Sequence, residues 1–225
     1  HWWFESRRKL VELLLSQLNI DPEIEGLDIG CGTGGNLNLL SKYCCSVTGL
    51  DYSKLALEIA RKKHPGFKLI HGDANCVSEL FASDSFGLIT IFNVLYHKWI
   101  SDDLNILKQV HNILRPEGYL VVTEGAFNIL FRKHDVQAMT IRRYRLPAFR
   151  NMLKEAGFVV ISSTYFSSIS FVPALILAYY DYIVKMKSKP VIKDEEVKEL
   201  MMPHSLINRV LSASMYLERK IIMIS

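Results

Sequence analysis

The sequence predicts a doubly wound α/β protein, and three observations carry that prediction. Apolar runs of strand length alternate with stretches of helical period from residue 24 to residue 164. The first run breaks into a glycine cluster, Leu27-Asp28-Ile29-Gly30-Cys31-Gly32-Thr33-Gly34-Gly35-Asn36, and a helical pattern follows it. Carboxylates recur at the ends of the first three runs, as Asp28, Asp51 and Asp73. Strands separated by helices form a parallel sheet covered on both faces, with a ligand crevice outside the carboxyl ends of the strands.

The elements follow in order. Residues 4–18 read as a helix, because Phe4, Val11, Leu14, Leu15 and Leu18 share a face, and Asp21-Pro22 ends it. Strand 24–29, helix 36–43, strand 46–50 and helix 53–63 come next, the last closed by His64-Pro65-Gly66. Strands 67–70 and 87–92 lead to a helix over 102–114 and the turn Arg115-Pro116-Glu117-Gly118. A strand over 119–124, a helix over 146–156 stopped by Gly157, and a sixth strand over 158–164 complete the alternation. Residues 168–220 depart from it and read as two or three helices around the charged stretch 185–199. The expected division is a ligand-binding domain over 1–167 and a helical lid or interface over 168–225.

Composition narrows the function classes. With 49% hydrophobic and 22% charged residues, the 225-residue chain suits one packed domain with an appendage. A net charge of +4 is too mild to indicate nucleic acid. Cys31, Cys44, Cys45 and Cys76 form no Cys-x-x-Cys pair and read as reduced thiols of a cytoplasmic protein, with no metal site. The longest apolar run, 171–180, falls short of the roughly 20 residues that span a bilayer. A soluble monomer or homodimer is expected, with peripheral membrane contact as an open alternative. The chain opens on His1 rather than Met, so its natural start is expected upstream.

Glycines let backbone approach a ligand closely, and a following helix points its N–H groups at that ligand. The cluster alone fits two cofactors. Gly30, Gly32 and Gly35 satisfy the nicotinamide fingerprint, whereas Gly30, Gly32 and Gly34 satisfy Gly-x-Gly-x-Gly. The acids separate them. Asp28, two residues before the first glycine, is unwelcome beside a pyrophosphate and welcome beside an ammonium group. Asp51 is placed to accept ribose hydroxyls, and Asp73 to accept from an adenine amino group. Three strand-end carboxylates match a cationic adenosyl ligand, S-adenosylmethionine. An NAD(P)-dependent oxidoreductase and a non-catalytic cofactor-binding module remain the alternatives. No Tyr-x-x-x-Lys pair follows the fourth strand to support the former.

These residues resemble the class I S-adenosylmethionine-dependent methyltransferases. The likeness lies in Leu27–Gly34, Gly49–Ser53, Gly72–Ala74, Asp84–Ile89 leading to Asn93, and Leu114–Leu120, and it spans about 24–165. It implies a mainly parallel, seven-stranded Rossmann-like sheet, with the last strand either over 221–224 or beyond residue 225. It implies a cofactor set of Asp28, Gly30, Cys31, Gly32, Gly34, Asp51, Tyr52, Asp73, Ala74 and Asn93. In that set Gly30 and Gly32 border the methionine moiety and Tyr52 lies against adenine. Ala74 offers its N–H to the ring, and Asn93 its carbonyl to the amino group. A narrower resemblance, to a group linked with cell-envelope glycan or lipid modification, appears at both flanks. His1-Trp2-Trp3-Phe4-Glu5-Ser6-Arg7-Arg8 carries it at one end, and 134–144 at the other, where Thr140 stands in place of the usual second histidine.

The expected activity is methyl transfer to a small molecule or an envelope glycan or lipid precursor. Such a displacement needs alignment and exclusion of water, and a base where the nucleophile must lose a proton. His134 with Asp135, in the loop after the fifth strand, and His97 after the fourth are the candidate bases. Trp3 and its aromatic neighbours read as a lid, with Arg7 meeting the cofactor carboxylate. Tyr96, Arg143 and Tyr144 complete the candidate acceptor site, the arginine as a grip for an anionic substrate.

Overall fold

The computed structural model describes residues 2–168, 171–187, 209, 213–216 and 218, without the side chains of residues 2, 133, 134 and 184–187. Five strands form one parallel sheet: β1 Glu25–Ile29, β2 Ser46–Asp51, β3 Lys68–His71, β4 Phe86–Phe92 and β5 Leu114–Thr123. Their order is β3-β2-β1-β4-β5. The order reverses between β1 and β4, so the loops leaving those two strands diverge and open a crevice at their carboxyl ends.

Alternation along the buried strands sends neighbours to opposite faces. Leu27, Ile29, Ile89 and Ile91 pack with Ile106, Leu107 and Val110 of α5 (Asp103–Ile113) on one side. Leu88 and Phe92 pack on the other with Val11 and Leu15 of α1 (Trp2–Leu15), Leu37 and Leu40 of α2 (Leu37–Leu40), and Leu57 of α3 (Lys54–Lys63). Asp28 and Thr90 are register partners and are buried, so the apolar sheet carries one polar pair at its centre.

Local signals set the helix starts. Ser53 caps α3, its hydroxyl accepting from the Ala56 N–H at 3.2 Å, and Asp102 caps α5 by accepting from the Asn105 N–H at 3.0 Å. The short helices α4 (Val77–Leu80) and α6 (Lys133–Gln137) lie in connections. Helix α7 (Leu146–Glu155) has proline in its first turn and ends at Gly157, whose φ of +105° no side chain favours. Helix α8 spans Phe171–Lys187. The first helix begins and ends earlier than its periodicity suggests, and the expected helix over 36–43 keeps only one regular turn before tightening into i→i+3 bonds.

The sheet has five strands among the described residues rather than seven. Residues 158–164, expected as the sixth, are irregular: Phe158 is anchored on the core and stacks edge-on with His111, but Val159 and Ile161 are 88% and 71% exposed. Strand propensity without a neighbouring ladder does not make a strand. The outer edge of β5 is correspondingly unpaired among the described residues. The late strand expected over 221–224 lies outside the described residues.

Candidate active site

The crevice is built on the turn after β1. Gly30 and Cys31 both donate to the Leu50 carbonyl, at 2.8 and 3.0 Å, which bends the chain away from the ladder. Gly30, Gly32 and Gly34 have φ of +72°, +53° and +83°, the left-handed region that favours glycine. A Cβ on Gly32 would meet nothing within 4 Å, so its open side is a cradle for a ligand's close approach. The Cys31 thiol is buried, and burial pushes its pKa upward, which keeps it neutral and unreactive.

Asp51 sits beside that cradle, already oriented. Its Oδ2 accepts from the Gly32 N–H at 2.7 Å and its Oδ1 from the Ser53 N–H at 2.8 Å. Each oxygen keeps a lone pair for a diol. Tyr52, 65% exposed, lies at the rim with its ring 5.9 Å from that of His71. At the tip of β3, Asp73 Oδ1 accepts from the backbone and side-chain nitrogens of Asn75, at 2.9 and 2.7 Å. Asn75 in turn accepts from the Ser101 N–H and hydroxyl and donates to the Trp99 carbonyl, so the Asp73-Ala74 turn is tied to the loop after β4.

Asp28 lies behind the turn and out of solvent. Thr90 Oγ1 donates to its Oδ1 at 2.6 Å. Burial raises its pKa to about 6, against the opposing effects of the Thr90 and Asn36 hydrogen bonds and the Arg7 charge. Arg7 reaches this region from α1. Its guanidinium carbon lies 5.1 Å from the Trp3 ring, 5.6 Å from Phe4 and 5.0 Å from Phe92. With the Asn93 amide oriented to satisfy both its ends, its oxygen accepts from Arg7 Nη1 at 3.1 Å and its nitrogen donates to the Thr123 carbonyl at 3.2 Å. Arg7 Nε is buried with no hydrogen-bond partner among the described residues, so one N–H of this cation is still available to an anion.

The loop carrying the candidate acceptor residues folds down on the loop after β4. Ile141 N donates to the Tyr96 carbonyl at 2.9 Å and Lys98 N to the Met139 carbonyl at 2.9 Å, and His97 bridges Thr140. The His97 ring makes tilted contacts with Tyr96 and Trp99, with ring centroids at 4.6 and 5.5 Å. Burial lowers its pKa, so the imidazole is neutral at pH 7. Burial pushes the Tyr96 phenol to about 12, which keeps it protonated.

The basic element is internally paired. Asp135 Oδ1 accepts from Arg143 Nη2 at 2.6 Å and Nε at 3.2 Å, its Oδ2 accepts from the Arg132 N–H, and Arg143 Nη1 donates to the Ala126 carbonyl. Tyr144 donates to Asp103 Oδ2 at 2.8 Å, and Arg142 pairs with the same carboxylate at 3.2 Å. Arg143 and Tyr144, expected to grip substrate, therefore hold the covering loop onto α5 and α6. The side chain of His134, on α6, lies outside the described residues.

An open cavity of about 2590 Å³ adjoins these groups, with Trp3, Arg7, Gly30, Asn93, Tyr96 and Phe127 among its walls. Asp51, Tyr52, Asp73 and Ala74 are not on its walls. The turn residues Gly30, Cys31, Thr33 and Gly35 are themselves on the cavity wall. Glu124, at the tip of β5, is a cavity residue that the reading of strand-end acids passed over although it obeys the same pattern. Among the described residues no cluster of three His, Cys, Asp or Glu is placed to hold a metal, and no helix is long and apolar enough to cross a membrane.

Residues 27–122 match the family model described as a methyltransferase domain. A demethylmenaquinone methyltransferase of Staphylococcus epidermidis is 33% identical over 127 residues, covering 54% of this chain and 51% of that protein. One of Bacillus velezensis is 27% identical over 161 residues, covering 68% and 67%. The chain spans about half the length of the first of these relatives. Among solved structures, an S-adenosylmethionine-dependent methyltransferase from Mesorhizobium loti superposes with a TM-score of 0.57 at 19% identity, covering 76% of this chain and 90% of that one. Another, from Archaeoglobus fulgidus, gives 0.56 at 15%, covering 93% and 86%. The glycine turn, the oriented Asp51 and the reversed strand order agree with these likenesses, and residues 27–122 carry a methyltransferase domain.

Proposed function

We propose that the chain transfers the methyl group of S-adenosylmethionine to a small, largely apolar acceptor. An aromatic quinol is the first class to test, and an envelope glycan or lipid precursor the second. The observation that carries this reading is the cavity wall. Trp3, Tyr96, Phe127, Leu130 and Phe171 line it, and two of the charged residues on its wall, Asp135 and Arg143, are paired with each other. An anionic acceptor would find no free cation in that pair. The likeness to the demethylmenaquinone methyltransferase of Staphylococcus epidermidis supports the quinol class.

The residues fit the donor. Asp51 would hold the ribose diol, Asp73 and Ala74 the adenine edge, Tyr52 the adenine face, and Asp28 with Arg7 the ammonium and carboxylate of the methionine part. When bound, the donor supplies a methyl group on a sulfonium, with a neutral thioether as leaving group. The protein's share is placement and dryness: the Tyr96–Lys98 and Met139–Ile141 segments close over the crevice, and the aromatic end of α1 shields it. His134 is the proposed proton acceptor, with His97, neutral at pH 7, as the second; Asp135, occupied by Arg143 and Arg132, acts by holding the loop.

The same reading takes residues 1–167 as the donor-binding domain of a cytoplasmic protein and 168–225 as the acceptor-side region. The exposed Val172, Ile176, Tyr179 and Tyr180 of α8 support contact with a membrane periphery. The test supplies S-adenosylmethionine labelled in its methyl group together with 1,4-naphthohydroquinone, or with a polyprenyl-linked sugar phosphate. Label in the naphthol product supports the quinol class, and label only in the sugar phosphate replaces it with the second class. Failure to bind S-adenosylhomocysteine sinks both.

A further inference from the structure

Glu124 belongs to neither the donor set nor the acceptor set described above, yet it joins them. β4 leaves the sheet at Asn93, where φ is +61°, and the next two N–H groups, of Val94 and Leu95, both donate to Glu124 Oε1 at 3.0 and 2.9 Å. The stem of Glu124 lies on the cavity wall while its Oε2 is withdrawn from solvent and has no hydrogen-bond partner among the described residues. Burial lifts its pKa to about 8, against the effect of those N–H groups and of Arg7.

What the carboxylate holds matters because of what Val94 touches. A Cβ built on Gly30 would lie 2.2 Å from Val94 Cγ2, so the valine fills the side of the turn that the missing side chain leaves open. Gly30 leads directly to Gly32, whose N–H meets Asp51. On the other flank, Asn93 accepts from Arg7. A shift of the Asn93–Tyr96 loop is therefore transmitted by direct contact to the glycine turn and to Arg7. Interiors are close-packed and do not absorb such shifts.

We propose that Glu124 is the positioning residue of the donor pocket: by accepting from Val94 and Leu95 it seats the Asn93–Tyr96 loop against the Gly30 turn, and so sets the affinity of donor-side groups that it does not touch. An oxygen that accepts both N–H groups spares the two donors the cost of being left unpaired where the loop packs against the turn. The inference rests on the reading that the turn holds S-adenosylmethionine.

Calorimetric titration with S-adenosylhomocysteine tests it on wild type, Glu124→Gln and Glu124→Ala, with circular dichroism to confirm folding. Glutamine keeps an oxygen for both N–H groups and is expected to bind within about threefold of wild type. Alanine leaves them unpaired and is expected to bind at least about tenfold more weakly while folded. Should alanine not fold, Glu124→Asp, one methylene too short to reach, carries the same expectation. A variant without the acceptor that is less stable but binds as wild type would reveal a merely structural carboxylate and overturn the proposal. So would a glutamine variant as weak as alanine. Wild-type protein that binds no S-adenosylhomocysteine overturns the donor reading itself, and this proposal falls with it.

Discussion

Asp51 shows how much of the donor side is settled by single residues. Both its oxygens are oriented by backbone N–H groups before any ligand arrives, so little ordering cost remains at binding. Asp51→Ala is expected to weaken S-adenosylhomocysteine binding by about a hundredfold, the scale of two lost charged hydrogen bonds, measured by calorimetry. Gly30→Ala is expected to destabilise the fold by about 3 kcal/mol in urea unfolding. The alanine would carry a φ of +72° and meet Val94. Glu124 gives a pH signature. Its carboxyl holds a proton in the folded protein up to about pH 8, whereas the unfolded chain releases one near the ordinary 4.5. The unfolded state thus binds fewer protons across that window, and the contribution to stability falls as pH rises. The groups acting on it are Arg7, Tyr96 and Tyr144; Asp28, with its midpoint near pH 6, titrates in both proteins and cancels in their difference. The difference in thermal midpoint, wild type minus Glu124→Gln, is expected to decrease from pH 6 to pH 8. A flat difference contradicts a buried, protonated Glu124.

At the scale of elements, the covering loop over 126–145 is held by ion pairs as well as by the ring contacts of Phe127 and Tyr144. The Asp135–Arg143 pair is largely withdrawn from water, with side-chain exposures of 8% and 18%. Removing one partner strands the other charge, which costs about 3 kcal/mol. Arg143→Met is therefore expected to lower stability by roughly that much, and Asp135→Asn by less, since the amide oxygen still accepts from the Arg132 N–H. Differential scanning calorimetry separates the two. The pairing also explains why these residues read differently in sequence and in space. Arg142-Arg143-Tyr144 looks like a free basic patch until Asp135 and Asp103, from distant positions, are brought against it. No local signal distinguishes an arginine that grips a ligand from one that grips its own chain. The apolar run Phe158-Val159-Val160-Ile161 misleads for a related reason. Its β-branched composition is that of a strand, but a strand exists only where another supplies its hydrogen bonds.

Over the whole molecule, protection should follow the sheet order. β1 and β4 are central and buried, while β3 and β5 have an edge without a partner among the described residues. Amide hydrogen exchange is expected to be slowest at Leu27–Ile29 and Leu88–Ile91 and faster at Tyr119–Thr123. Equal protection along β5 would show that its outer edge is covered. Helix α1 ties the chain's start to the crevice through Arg7, so deleting residues 1–8 is expected to weaken S-adenosylhomocysteine binding sharply, with the sheet's circular dichroism retained.

The parallel alternation, the glycine turn and the strand-tip acids were legible in the sequence because each rests on local chemistry: backbone freedom at Gly30 and Gly32, and a carboxylate where a strand ends. What Arg7, Asp135, Arg143 and Glu124 do was decided only by the tertiary structure. A buried charge takes its role from its partner, and those partners lie on other elements, beyond the reach of any pattern along the chain.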